Sequence, residues 1–291
     1  MPQLSRLLHY VPIALVGVVL AGLAVPFITH SRVQSDRVGC MNHLRELGLM
    51  GVRHASAPGQ PLPPGIKNEL PPGTFENPSL PPDQRMSWYV YTLNALDQGV
   101  LDPDAKQRRR RPPGLGDVLT HFDPAGSWNS PENVHLANYR LTTAICPAQV
   151  PQVAPGSPWT ANYVAQGGIG LKTPELSIDE AGANSGAYRY DGPTPDARIR
   201  DGLRYTAQII ETNTALGPWL RGGPSTLRAL DLEAAPYLGK DRPFGGCHPG
   251  GAYLSMADGS VQFVKETIDP AVFRAMLTIA GGPNEQNFDA P

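Results

Sequence analysis

The chemistry-bearing residues of this chain are few, and the densest group lies near its C-terminal end. His248 is followed by Pro249-Gly250-Gly251 and, after nine intervening residues, by Asp258-Gly259. A histidine and an aspartate with Ser255 or Ser260 nearby are the residue types of a base, an orienting group and a nucleophile. Their placement opposes that reading. Asp258-Gly259 separates two apolar runs, Tyr253 to Ala257 and Ser260 to Val264, as the centre of a predicted β-hairpin with a type I′ turn. A strand advancing about 3.3 Å per residue then holds the imidazole far from the carboxylate. The glycines at 250 and 251 read as a tight corner entering the hairpin, with His248 hydrogen-bonded locally.

Three cysteines, Cys40, Cys146 and Cys247, allow one bridge and one leftover thiol. None belongs to a Cys-x-x-Cys pair, so a zinc site would need scattered ligands, such as Cys247-His248 with one carboxylate. His43 and His54 are about three helical turns apart and cannot share an ion; His9, His30, His121 and His135 show no ligand spacing. G-x-S-x-G, H-E-x-x-H, P-loop and G-x-G-x-x-G patterns are absent from the sequence, and Gly167-Gly168-Ile169-Gly170 reads as a loop. The sequence therefore assigns no catalytic residue, no cofactor and no metal.

The elements that must position these residues follow from composition and pattern. Of 291 residues, 31 are Gly and 32 Pro, while charged residues make up 17%. Breakers at that density exclude a helical bundle or coiled coil as the main architecture. A net charge of −2 supplies no basic field, so nucleic acid is not expected as a partner. Val11 to Ile28 is uncharged over 18 residues and, at 1.5 Å per residue, roughly matches a hydrocarbon core of about 30 Å. An uncleaved anchor contacting the lipid bilayer through 11–28 is the leading reading. The alternatives are a signal peptide, with a weak site at Ala21-Gly22-Leu23-Ala24, and a buried helix. Gly17 and Ala21 form a small-xxx-small pair, read as ordinary residues of a span. The charges flanking the span do not decide orientation; the bulk of the chain follows it, which favours the N-terminus inside and the domain outside.

The chain divides into a short tail (1–10), a transmembrane helix (11–30), its soluble continuation (31–57) and a Pro/Gly-rich sheet domain (58–291). In the continuation Cys40, Leu44, Leu47 and Gly51 fall on one face. Ala57 to Pro82 is an extended connector with three Pro-Pro pairs, and Arg108 to Arg111 reads as a solvated loop. Ser87 to Leu96 fits strand and helix equally. Ser130-Pro131-Glu132 starts a helix, with Ser as cap and Pro at the first position. Thr142 to Cys146, Ala161 to Val164 and Arg204 to Glu211 read as short strands, and Arg221 to Leu232 as a loop with a short helix. Asp269-Pro270 opens a last helix to Ala280, its apolar face formed by Val272, Phe273, Met276 and Leu277. One N-terminal helix followed by short strands predicts an α+β fold, with that helix packed on a mainly antiparallel sheet and a short C-terminal helix.

His248 with Asp258-Gly259 after nine residues resembles the signature of the bacterial prepilin-type processing-associated H-X(9)-DG proteins, whose main domain has no assigned function. Further stretches resemble the family in the expected order. Ala24-Val25-Pro26 is followed fourteen residues later by Cys40, then Asn42, Leu44 and Leu47-Gly48-Leu49. After these come SWYVYTLNALDQ from Ser87, SPENVHLA, Ile145 to Ala148, Asn162-Tyr163-Val164, the Ile199-Arg200-Asp201-Gly202 block through Glu211, and Pro218-Trp219. The chain departs from pilins at the processing site, where Leu4, Ser5 and His9 stand for the expected Gly, Phe and Glu. Prepilin-peptidase cleavage and pilin-type filament assembly are therefore not expected. The resemblance implies a pilin-like fold and an exported domain, in which Cys40 and Cys146 are one candidate disulfide; pairing of Cys247 with either and free thiols remain open.

The leading expectation is a non-enzymatic, membrane-anchored pseudopilin-like protein of the cell envelope, in secretion, surface assembly or envelope structure, with other pilin-like or secretion-system subunits as candidate partners. Its location would be the inner membrane. The second is an anchored binding module for glycan or peptide using Trp128, Trp159 and Trp219. The third is a hydrolase built on His248.

Overall fold

A computed structural model describes residues 2–53, 69–75, 77–91, 123, 125–150 and 153–281, with side chains of the first helix described at 20, 22, 24–25 and 27–49. The connector over 58–68, the arginine run Arg108–Arg111, His54, His121 and the side chains of most of the predicted span lie outside this description.

Helix α1 (Pro2–Arg53) is continuous over 52 residues. Among the described residues nine small strands follow: β1 (Glu69–Leu70), β2 (Thr74–Phe75), β3 (Met86–Ser87), β4 (Tyr163–Ile169), β5 (Thr194–Pro195), β6 (Ala207–Glu211), β7 (Leu227–Leu230), β8 (Gly251–Met256) and β9 (Val261–Lys265). Short helices among the described residues include α2 (Val134–Ala137), α3 (Ile178–Ala181) and α4 (Pro270–Met276). β1 pairs with β5 and β2 with β3; the main sheet has the order β7-β4-β6-β8-β9.

The main sheet is mixed rather than wholly antiparallel. β4–β6, β6–β8 and β8–β9 are antiparallel, but β7 lies parallel to β4. The stretch 221–232, expected as loop and helix, supplies that parallel edge strand. Gly167-Gly168-Ile169, expected in a loop, is the end of β4. A side chain at Gly168 would strike the Asn184 carbonyl at 2.1 Å, and one at Gly167 would meet Pro174 and Leu227. These glycines mark close backbone approach within a strand. Thr142–Ala144 is a 3-10 turn rather than a strand, because the N–H groups of Ala144 and Ile145 donate back to the carbonyls of Leu141 and Thr142. α2 begins at Val134, later than the Ser130-Pro131 start, after a turn closed by Val134 N–H to the Ser130 carbonyl.

The hairpin β8–β9 forms with the expected strands and a different turn. Only Gly259 takes the left-handed region, at φ 83°. Gly259 N–H donates to the Met256 carbonyl, Met256 N–H to the Ser260 carbonyl, and Asp258 Oδ1 accepts from Ser260 N–H. This is the three-residue loop with a glycine bulge, not a type I′ turn. α4 ends at Met276, short of Ala280, with Asp269 capping Ala271 N–H.

Alternation along the strands sorts the interior into two faces. Tyr163, Ala165 and Ile209 turn toward α1 and the connecting segments. Val164, Ile210, Leu254 and Met256 turn the other way, onto Phe273 and Leu277 of α4, together with Tyr237 and Phe244. The layers are thus helix, sheet, and a cover of α4 with loops. On α1 the buried stripe is Cys40, Leu44 and Leu47, each fully buried. Toward the N-terminus the helix leaves the domain, and Leu20, Val25, Phe27 and Ile28 are more than half exposed. Among the described residues no helix is long and apolar enough to cross a membrane.

Gly48 sets the distance between helix and sheet. Its carbonyl accepts from Gln208 Nε2, and a Cβ there would lie 2.0 Å from Ser255 Oγ on β8. Gly48→Val is expected to cost about 1–3 kcal/mol by overpacking, read as a lowered denaturant midpoint of the full chain in detergent. Gly22→Ala, whose Cβ meets nothing within 4 Å, should leave the midpoint unchanged or raise it.

Candidate functional site

The site is built where α1 first reaches the domain. Glycine at 39 lets the 145–149 segment press against the helix: a Cβ there would lie 2.9 Å from Pro147 Cγ. One residue on, Cys40 is joined to Cys146 by a disulfide closing a sequence separation of 106. One turn further, His43 Nδ1 lies 3.0 Å from the Ile145 carbonyl. Three successive contacts therefore clamp helix and segment together.

Buried Asn162 fixes the segment from behind. Its side-chain oxygen accepts from Cys146 N–H and its amide donates to the Thr212 carbonyl. Its backbone N–H donates to Ala144, and its carbonyl accepts from Thr212 N–H. Cys146 is thus aligned with the end of β6, where Glu211 is fully buried.

His248 completes the cluster. Its Nε2 is 3.4 Å from Glu211 Oε1 and 3.6 Å from Cys146 Sγ, and its ring packs edge-on against Tyr253 at 5.5 Å between centroids. Glu211 Oε2 accepts from Tyr253 N–H at 2.8 Å. One donor atom from each of Cys40, Cys146, Glu211 and His248 lies within 4.8 Å of the others, and all four residues are buried. The partners of His248 are thus distant in sequence, where a local hydrogen bond was expected. Glu211 was not singled out by the sequence; its one signal is a carboxylate ending a strand of otherwise uncharged residues.

Asp258 and Gly259 do not join this cluster. Pro249 accepts from Arg37 Nη2, at the same end of β8 as His248. Gly259, beyond the opposite end of β8, would strike Leu49 Cδ2 at 2.7 Å if it carried a Cβ. α1 advances about 18 Å from Arg37 to Leu49 at 1.5 Å per residue. The six residues of β8 advance about 20 Å at about 3.3 Å each. The six-residue strand therefore matches a little over three turns of helix, and the residues flanking it dock the hairpin along α1 at both ends. Gly250, at φ 84°, makes the corner, and a Cβ on Gly251 would lie 2.1 Å from the Val264 carbonyl.

Cys247 stays apart as a buried free thiol, its Sγ 3.5 Å from the Thr212 carbonyl. Burial first, and the Glu211 charge second, push its pKa far upward. Burial likewise raises Tyr89, Tyr188 and Tyr163, the last also through Glu211. The four residues of the cluster are buried; a pocket lined by Thr74, Arg85, Tyr190 and Asp191 belongs to the β2–β3 region.

The family model described as "Protein of unknown function (DUF1559)" matches residues 35–229 and 221–271, most of the chain. No curated protein and no solved structure matches it.

The buried hydroxyls and thiol make the domain alkali-sensitive. Their folded pKa values lie above the unfolded ones, so their contribution is intact below about pH 8.5 for the thiol and about 10 for the tyrosines, and is lost as pH rises further. Tyrosinate absorbance from these residues should therefore appear together with loss of near-ultraviolet circular dichroism. Their ionisation near pH 10 in a chain that keeps its near-ultraviolet signal would contradict the burial described.

Proposed function

The chain belongs to the DUF1559 family of proteins of unknown function, and from that premise we propose that it is a non-enzymatic, membrane-anchored pseudopilin-like protein of the bacterial cell envelope. The observation that carries the reading is the course of α1. The helix is one piece from Pro2 to Arg53, yet Leu20, Val25, Phe27, Ile28 and Val33, the large apolar side chains described before Arg37, are exposed, with Phe27 at 75% and Leu20 at 61%. Apolar side chains exposed along successive turns of a helix call for a second apolar phase. An uncharged stretch at 11–28, of bilayer length, supplies the reason for it. The family match begins at residue 35, close to where the helix meets the domain.

The Cys40–Cys146 bridge supports an extracytoplasmic domain, since such bonds persist in oxidising compartments. In this reading the bilayer holds the outer half of the helix and the bridge holds the inner half on the sheet. The role is mechanical: the domain is displayed at a fixed orientation, in secretion, surface assembly or envelope structure, with other pilin-like subunits as candidate partners.

The tryptophans give the binding-module reading less support. Trp219 is buried and donates to the Tyr139 carbonyl; Trp128 donates to Asp83 and Trp159 packs under Arg140. Each is engaged in its own structural contact. The hydrolase reading lacks an open site at His248, whose side chain is 2% exposed.

Cell fractionation with intact-mass analysis tests the proposal. The full-length chain should be recovered in the membrane fraction, and protease added to spheroplasts should digest the domain. A soluble chain beginning near Leu23 to Phe27 would overturn the anchor. A cut between Leu4 and Ser5 would overturn the expectation that the chain escapes prepilin processing.

A further inference from the structure

We propose that the buried cluster of Cys40, Cys146, His248 and Glu211 is a closed tetrahedral site for a zinc-type divalent cation whenever the disulfide is reduced. The inference holds whether or not the helix is a membrane anchor.

The donor geometry carries it. Tetrahedral zinc is bound at about 2.3 Å by thiolates and about 2.0–2.2 Å by imidazole nitrogen or carboxylate oxygen. The edges of such a tetrahedron are then about 3.3–3.8 Å long, by the same bond lengths. His248 Nε2 to Glu211 Oε1 is 3.4 Å and His248 Nε2 to Cys146 Sγ is 3.6 Å. Two edges are already at zinc spacing, and the main adjustment is for the two sulfurs to part once no bond joins them. Two thiolates, one imidazole and one carboxylate supply four protein donors, which fills a tetrahedral site and leaves no position for water.

A second observation points to a ligand. Glu211 Oε1 is buried and accepts no hydrogen bond among the described residues, with His248 Nε2 3.4 Å away, while its sister oxygen Oε2 is held by Tyr253 N–H. A buried carboxylate oxygen left short of donors is costly, and a cation at this point would satisfy it. The outer supports of a metal site are also present. Tyr253 fixes the carboxylate through its N–H and the imidazole through its ring edge, and Asn162 fixes the Cys146 backbone.

The exchange balances. A water-soluble phosphine attacks the disulfide, takes the oxygen of one water to become phosphine oxide, and leaves both cysteines as thiols carrying that water's two protons. On binding M²⁺, the two thiol protons pass to buffer while four bonds form: two to Sγ, one to His248 Nε2 and one to Glu211 Oε1. In the oxidised chain the sulfurs are tied to each other and are poor donors, so the disulfide and the metal are alternative clasps for the same helix.

The bridge is buried, so the full-length chain should be unfolded in detergent with guanidinium, reduced with the phosphine, and refolded with Co²⁺ as probe. We expect one cobalt per chain, with strong visible bands of tetrahedral cobalt and a thiolate-to-cobalt charge-transfer band, both abolished by zinc. The never-reduced chain should take up none. Cys247→Ser should bind as well as wild type. His248→Ala and Glu211→Gln should each weaken binding by more than the roughly 10- to 100-fold typical of losing an outer-shell partner. Far-ultraviolet circular dichroism and tryptophan fluorescence report folding in each sample. Refolding only with metal would support the site. Refolding without cobalt uptake, cobalt bound without a thiolate band, equal binding by the Cys40→Ser/Cys146→Ser chain, or no refolding with or without metal would each overturn it.

Discussion

The rest of this structure depends on how closely one helix approaches the domain. Gly39 and Gly48 lie nine residues apart on α1, and each occupies a place where a single methyl group would collide, with Pro147 in one case and Ser255 in the other. Between them Cys40, Leu44 and Leu47 are completely buried. Glycine within a helix costs about 1 kcal/mol relative to alanine. Its use twice on the contact face shows that proximity matters more here than helix propensity. The disulfide follows from that proximity, because Cys40 and Cys146 can join only where the backbones come this near, with Cα atoms 5.2 Å apart.

The same constraint suits the length of β8. His248 and Gly259 stand beyond the two ends of β8, and the hairpin lies along three turns of α1. At one end His248 backs the disulfide; at the other Gly259 makes room for Leu49. Histidine and glycine are thus two ends of a docking device, and Asp258 is engaged in its own turn through Ser260. This separates the motif from a catalytic pair while giving each residue a physical task.

How much of this was legible in the sequence depended on range. The hairpin, the capped C-terminal helix and the stripe on α1 are encoded within a few residues, and each is present, though the turn at Asp258 took a bulged form. Features that depend on distant partners were hidden. Glu211 meets His248 across 37 positions and Cys40 meets Cys146 across 106. No local pattern marks either, and the resemblance offered the cysteine pair only as one candidate among several. Gly167-Gly168 looked like a loop because glycine weakens strands, but Asn184 and Pro174 press against it from outside the strand. The parallel edge β7 was missed because its four residues pair with a strand some sixty positions earlier. Composition nonetheless set the class, since abundant Gly and Pro with little charge left a sheet domain with short elements as the outcome.

The Cys40–Cys146 bridge, backed by His248 and Glu211, holds α1 on the sheet. Native-state hydrogen exchange of the full chain in detergent tests it most directly. In the oxidised protein, the amides of residues 40–48 should open no more readily than those of β6 and β8, as one cooperative unit. In the Cys40→Ser/Cys146→Ser chain, kept free of metal, those helix amides should exchange well before the sheet does. Equal protection of the helix segment with and without the bridge, or exchange of residues 40–48 ahead of the sheet in the oxidised chain, would show that the bridge does not hold the helix.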